Sequence, residues 1–349
     1  MLILGIETSC DETAAAILND REVLAEAVFS QLKEHAAYSG VVPEIAARAH
    51  LAKIDGIVQA CLHDAGLATS QLDGVAVTAG PGLIGGLATG VAFAKTIACV
   101  HGLPFFAINH LEGHALTVRL TDDVAFPYLL FLASGGHCQL LICDNVGQYR
   151  RIGTTLDDAL GEAYDKIAKM MGLGYPGGPV VEQRAKLGDP HRFTLPKSMV
   201  GRDNCHFSFS GLKAAVRRTL LKLDETGVTG QDINDVCASF EATVNAIVAD
   251  RLQRALKLAG PQAMQALVVA GGVAANQRLR QTAQTIADAA GLPMLAPPLR
   301  WCGDNAVMIA WAGIERARSG LNDDLTAKVR PRWPLDPNAE AALGAGVKA

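Results

Sequence analysis

The stretch Leu2-Ile3-Leu4-Gly5-Ile6-Glu7-Thr8-Ser9-Cys10-Asp11-Glu12-Thr13-Ala14-Ala15-Ala16-Ile17-Leu18 decides how this chain folds. Two apolar runs of strand length flank a turn rich in hydroxyls and carboxylates, which predicts a buried strand, a polar turn and a second buried strand. Such a turn places hydroxyls, amides and acids at a sheet edge, where a phosphate or a metal-bound nucleotide can be held. It serves equally as an ordinary hairpin turn whose polar groups cap the backbone. Farther along, the pattern returns: residues 128–133 are apolar, Ser134-Gly135-Gly136-His137 is polar, and residues 138–143 are apolar again.

Two strand–turn–strand units separated by helical patterns predict an internally duplicated α/β fold with a nucleotide cleft between its two domains, the plan of the actin, hexokinase and Hsp70 superfamily. Residues 1–108 are expected to form the first actin-like half. Residues 109–305 form the second, with the metal and nucleotide sites, and residues 306–349 are a helix and tail that pack back on the first half. Half of the 349 residues are apolar, enough for a large core. The net charge of −4 argues against general nucleic-acid affinity but leaves room for a local basic surface. Eight cysteines lie scattered without a CxxC pair, which suits free thiols in a reducing compartment. No basic-then-apolar leader opens the chain and no window holds eighteen uninterrupted apolar residues, so a cytoplasmic protein without a membrane contact is expected.

Asn109-His110-Leu111-Glu112-Gly113-His114 is the one place where two histidines stand four residues apart. On a helix they share a face and can share a metal; the alternative is a histidine pair satisfied by hydrogen bonds. Glu112 follows His110 by two positions, about 200° round a helix, so it points away from such a metal and cannot serve as the base of a zinc protease. Asp304, in Trp301-Cys302-Gly303-Asp304-Asn305, is either the cap of the apolar helix that follows or a third ligand, and imidazole plus hard oxygen suits iron or zinc.

Other motifs carry paired readings of this kind. Val42-Pro43-Glu44 opens a scaffold helix at its proline. Ala79-Gly80-Pro81-Gly82-Leu83-Ile84-Gly85-Gly86 joins a buried strand to an alanine-rich helix, and its glycines either aim free amides at an anion or permit tight packing. Asp158, Glu162 and Asp165 share a helical face that can reach ribose hydroxyls or a cation, or is solvated. From Arg184 to Lys222 nine Lys or Arg face two Asp, which marks several of these cations as phosphate or tRNA contacts, while Phe207 and Phe209 belong to the core. Gly271-Gly272-Val273-Ala274-Ala275-Asn276 is a glycine turn at a helix start, suited to an adenosine or a phosphate.

The turn from Gly5 to Thr13, the loop at Gly80, HLEGH at His110, SGGH at Ser134, GEAYDK at Gly161, YPGGP at Tyr175, FSFSGLK at Phe207, AGGVAAN at Ala270, CGDNAVMIA at Cys302 and the ending Val329-Arg330-Pro331-Arg332-Trp333-Pro334 resemble the TsaD family, and they run through the chain in order. Cys138, Gly303 and Ala214 stand where threonine is expected. The resemblance implies transfer of the threonylcarbamoyl group from threonylcarbamoyl-AMP to N6 of the adenosine following the anticodon, in tRNAs that read codons beginning with A, with release of AMP. It implies one divalent metal, Fe(2+) favoured and Zn(2+) the alternative, on His110, His114 and Asp304. It implies that Leu132, Ala133, Ser134, Gly135, Gly136, Asp165, Gly178, Glu182 and Asn276 hold the nucleotide. It also implies that Asp11 assists proton removal from N6, helped by Glu12 and Lys213, and that the partners are tRNA, a TsaB-like paralogue and a TsaE-like ATPase. A kinase of the same superfamily or a non-catalytic paralogue are the competing readings; the paralogue would lack HLEGH and the Asp304 segment, and both are present.

Overall fold

The two apolar runs at the N-terminus become β1 (Leu2–Glu7) and β2 (Glu12–Asn19), and from Ile3 to Leu18 only Cys10 and Glu12 are not fully buried. They pair antiparallel in the register Gly5↔Ala16. β3 (Glu22–Ser30), α1 (Leu32–His35), α2 (Pro43–Ala65), β4 (Gly74–Gly80), α3 (Ile84–His101), β5 (Phe105–Asn109) and α4 (His110–Asp122) follow, and the five strands form one sheet in the order β3-β2-β1-β4-β5. Leu4, Ile6, Ala15, Ile17, Val75 and Val77 pack with Ile54, Val58, Val91 and Ala94 of α2 and α3 in one apolar core. Burial on both faces is why these strands read as continuous apolar runs rather than alternating ones.

The second sheet repeats this topology from β6 (Tyr128–Ala133), β7 (Cys138–Asn145), β8 (Gln148–Thr154), β9 (Leu267–Ala270) and β10 (Met294–Leu295), in the order β8-β7-β6-β9-β10. In each sheet the hairpin partner is antiparallel, and the strand on the other side of the first hairpin strand is parallel. That correspondence is the duplication expected from sequence. α5 (Leu160–Met170), α6 (Gly177–Ala185), α7 (Ser210–Asp224), α8 (Gly230–Ala259) and α9 (Gln277–Ala289) cover this sheet, and Phe207 and Phe209 stack in its core as expected.

In this computed structural model, which describes residues 1–35, 38, 40–225, 227–340 and 342, the chain forms two compact units. The first holds Met1–Asp123, Asn145–Tyr149 and Gly303–Pro337; the second holds Val124–Asp144 and Arg150–Cys302 with the described residues after Pro337. The division differs from the expected break at residue 108, because α4 packs on α10 (Ala306–Arg318) through Gly113, where an added Cβ would lie 3.0 Å from the Ile309 side chain. α10 in turn lies on β1: a side chain at Gly5 would strike the backbone of Ala306 and Ala310. α3 alone among the described helices is long and apolar enough to cross a membrane, yet Gly86, Leu87, Gly90, Val91, Ala94 and Ala98 are buried and Lys95 donates to the Ala327 carbonyl at 2.6 Å.

Candidate metal centre and nucleotide-binding residues

The histidine pair sits one turn apart at the start of α4, whose N-cap Asn109 accepts from the Leu111 amide at 2.9 Å and donates to the Trp333 carbonyl at 3.0 Å. His110 and His114 are buried, with ring centroids 4.8 Å apart. Asp304 Oδ1 lies 3.3 Å from His110 Nε2 and 3.2 Å from His114 Nε2. It is free for this contact because Asn305 caps α10, accepting from the Met308 amide at 2.9 Å. The capping alternative for Asp304 is thereby answered: the next residue takes the cap.

Glu7, at the end of β1, completes the group. Its carboxylate lies 2.9 Å from His110 Nδ1 and accepts from the Ser9 amide and the Thr78 hydroxyl. A carboxylate on Nδ1 leaves Nε2 facing Asp304, the arrangement in which an imidazole is oriented for a metal. Burial works against a charged His110, but Asp304 and Glu7 outweigh it and hold its pKa well above the ordinary value. For Asp304, burial is likewise outweighed, here by His110 and His114, and its carboxyl falls well below the usual range. His114 is pushed down by burial.

His110, His114 and Asp304 present ligand atoms all within 4.8 Å of one another. Metal–ligand bonds of about 2.1 Å separate donors by about 3.4 Å in a tetrahedral site and about 3.0 Å between neighbours in an octahedral one, so the two histidine–aspartate separations of 3.2 and 3.3 Å are of the size a shared divalent ion requires. Glu112 points elsewhere. It accepts from Gly147 N and Tyr149 Oη, each at 3.0 Å, and pairs with Arg316 at 3.3 Å, which removes the base that a metalloprotease needs.

Asp11 is buried in the turn between β1 and β2, next to half-buried Glu12. Burial, then Asp304 and Asp11, push the Glu12 carboxyl up to about 9, and its side chain is hydrogen-bonded to that of Asp11. The Gly80 loop is a packing device. The amides of Gly82 and Leu83 donate to the carbonyls of Pro331 and Ser9 at 3.2 and 2.7 Å, which leaves neither for an anion, and a Cβ at Gly82 would lie 2.6 Å from Ser9 O.

The residues expected at the nucleotide lie in the second unit. Leu132 and Ala133 end β6 in the core, while Ser134 Oγ accepts from the amides of Gly136 and His137 at 3.3 and 3.1 Å. Gly135, Gly136 and Gly178 have open space where a side chain would stand. Asp158 precedes α5, where Lys166 bridges it to Glu162 at 2.6 and 2.9 Å, so the three acids do not share one helix face as expected. Asp165 accepts from the Gly177 amide at 2.7 Å, and burial raises its pKa. Glu182 accepts from Gln277 N at 3.0 Å. Asn276 caps α9 through Leu279 N and donates to Glu241 at 2.9 Å. A cavity of about 300 Å³ is lined by Glu182, Lys186, Glu241, Gln277 and Arg278. Lys213 stands exposed on α7 beside Arg217 and Arg218, along a groove of about 330 Å³.

Sequence reasoning missed Glu7 and Glu241. Both are buried carboxylates, and an acid closing an otherwise apolar strand was the available signal for Glu7.

The profile described as "TsaD: tRNA N6-adenosine threonylcarbamoyltransferase" matches residues 22–311. The chain belongs to the TsaD family. It is 59% identical over 343 residues to a tRNA N6-adenosine threonylcarbamoyltransferase of Paramagnetospirillum magneticum, covering 97% of this chain and 98% of that one. A protein of the same description from Rhodospirillum rubrum is 56% identical over 352 residues, covering 99% and 97%. Among solved structures, full-length HypF in a phosphate- and nucleotide-bound form matches with a TM-score of 0.58 at 12% identity, over 91% of this chain and 46% of that one. HypF of T. kodakarensis matches at 0.57 and 14%, over 92% and 48%. At such identities the likeness shows the fold alone, the actin-like plan that the repeated sheets already display.

Proposed function

We infer that this TsaD-family chain is a tRNA N6-adenosine threonylcarbamoyltransferase working in the cytoplasm. The observation that carries the reading is near-full-length identity to relatives of that description, in a chain that keeps the His110–His114–Asp304 group. The donor is threonylcarbamoyl-AMP, and the acceptor is N6 of the adenosine following the anticodon in tRNAs that read codons beginning with A. N6 attacks the carbamoyl carbon, the bond to the phosphate oxygen breaks, AMP leaves, and the N6 proton passes to a base. The anhydride is already activated, so positioning and charge stabilisation are what the protein must supply.

A divalent ion on His110, His114 and Asp304, iron before zinc, would supply Lewis-acid polarisation of the transferred group. Glu7 holds His110 for that task. Leu132, Ala133, Ser134, Gly135, Gly136, Asp165, Gly178, Glu182 and Asn276 bind the nucleotide part, and Asp11 receives the N6 proton with Glu12 and Lys213 assisting. The cations of α7 take tRNA phosphates: Lys213, Arg217, Arg218 and Lys222 are exposed, whereas Arg192 in the same basic stretch is tied to Asp232 and Asp235. This is part of a tRNA surface, so activity of the chain by itself is weak and is raised by a TsaB-like paralogue and a TsaE-like ATPase.

The test is a modification assay with purified chain, unmodified tRNA and threonylcarbamoyl-AMP, with and without those two partners, read by nucleoside mass spectrometry. Slow transfer alone and multiple turnover with partners are expected. No modified nucleoside under either condition overturns the activity, and efficient multiple turnover by the chain alone overturns the need for partners.

A further inference from the structure

The turn that carries Asp11 is clamped through three consecutive carbonyls. Ser9 O accepts from Leu83 N at 2.7 Å, Cys10 O lies 3.0 Å from His50 Nε2, and Asp11 O accepts from Gln31 N at 3.0 Å. Two of these donors are backbone amides fixed by the fold; the middle one is a side chain. His50, on α2, is fully buried, and its Nδ1 lies 2.8 Å from Thr13 Oγ1 and 3.4 Å from Gln31 Nε2. A carbonyl can only accept, so Nε2 carries the ring proton and Nδ1 accepts from the Thr13 hydroxyl. One neutral imidazole therefore ties the entrance of the turn at Cys10 to its exit at Thr13. Burial favours that neutral form, holding the His50 pKa below its ordinary value. Gly86, in the first turn of α3, leaves room for the ring: a Cβ there would lie 2.2 Å from Thr8 O and 3.0 Å from His50 Cδ2 and Nε2.

We propose that His50 is a positioning residue for the transfer reaction, its Nε2–H fixing the Cys10–Asp11 peptide so that the Asp11 carboxylate meets the N6 proton. The proposal rests on the reading of Asp11 as the proton acceptor. With the Cys10 carbonyl released, the peptide plane can rotate and carry Asp11 with it, and a misplacement of about 1 Å costs about 100-fold in rate. A histidine that merely satisfied the core would serve stability through either nitrogen alike; a positioning residue acts through Nε2.

Two amide variants separate the nitrogens. His50→Gln places a donor where Nε2 stands, whereas His50→Asn places an acceptor where Nδ1 stands and does not reach Cys10. Single-turnover transfer, KM for tRNA and thermal unfolding are measured on the full chain with each. The Gln variant is expected within about 3-fold of the wild-type rate, and the Asn variant about 100-fold below it, with KM for tRNA unchanged in both. Equal rates in the two variants overturn the proposal. Thr13→Val, which removes the partner of Nδ1 only, keeps the test decisive if an amide variant does not fold: near-wild-type transfer supports the Nε2 role, and a loss as large as 100-fold overturns it. Asp11→Asn is run alongside. Wild-type transfer in that variant removes Asp11 as the base, a failure of the underlying reading that is distinct from a failure of the His50–Cys10 contact.

Discussion

Glu7 Oε2 lies 2.9 Å from His110 Nδ1, and this contact aims the ring whose other nitrogen faces Asp304. Glu7→Gln is expected to lower metal affinity 10- to 100-fold, the usual effect of losing a carboxylate behind a ligating histidine. Chelator competition on the folded variant measures it, and unchanged affinity would remove Glu7 from the site. His110→Ala, deleting a ligand outright, is expected to lose most of the bound metal while remaining folded.

Asp304 and Asn305 divide two tasks that the sequence left to one residue. Asn305→Ala removes the acceptor for Met308 N and is expected to cost about 0.5–2 kcal/mol of stability. Asp304→Ala should instead abolish metal binding with no loss of the α10 cap. Denaturant unfolding and metal content of both variants check the division; a cap-sized stability loss in Asp304→Ala with metal retained would reverse it.

Asp157 is the pH-dependent clamp of the second unit. It accepts from Phe209 N at 2.7 Å and Ser210 N at 3.2 Å, and from the hydroxyls of Ser208 and Ser210. Burial opposes its charge, but these four donors outweigh it and hold its pKa below the ordinary carboxylate value. A depressed carboxyl contributes stability that is fully present above the unfolded value and is lost as pH falls through the lower folded one. Asp157→Asn should therefore destabilise by about 1–3 kcal/mol near neutrality and by progressively less below about pH 4. Urea titrations across that range test it, and a pH-independent difference would contradict it.

Arg217 and Arg218 together are expected to contribute about 2 to the slope of log affinity for tRNA against log salt. The double alanine variant should bind tRNA more weakly and with that smaller slope, while its binding of threonylcarbamoyl-AMP is unaltered. Normal tRNA affinity and slope in the variant would make the α7 face a solvated one.

The sequence by itself determined the local structure: β1, β2 and the turn between them, their repetition as β6 and β7, and the helix that carries His110 and His114 on one face. These follow from periodicity and capping, which depend on near neighbours in the chain and are therefore written in it locally. It could not settle which polar groups were already occupied. Asp304 is left to the histidines because Asn305 takes the cap; Asp165 is engaged by Gly177, and the amides of the Gly80 loop by Ser9 and Pro331. The meeting of His114 with Asp304 spans 190 positions and depends on α10 lying flat on β1, which Gly5 permits and a side chain there would prevent. Only the tertiary structure decides such pairings, because each donor or acceptor is claimed by whatever packing brings within about 3 Å, and packing is fixed by the whole core rather than by the residues beside it.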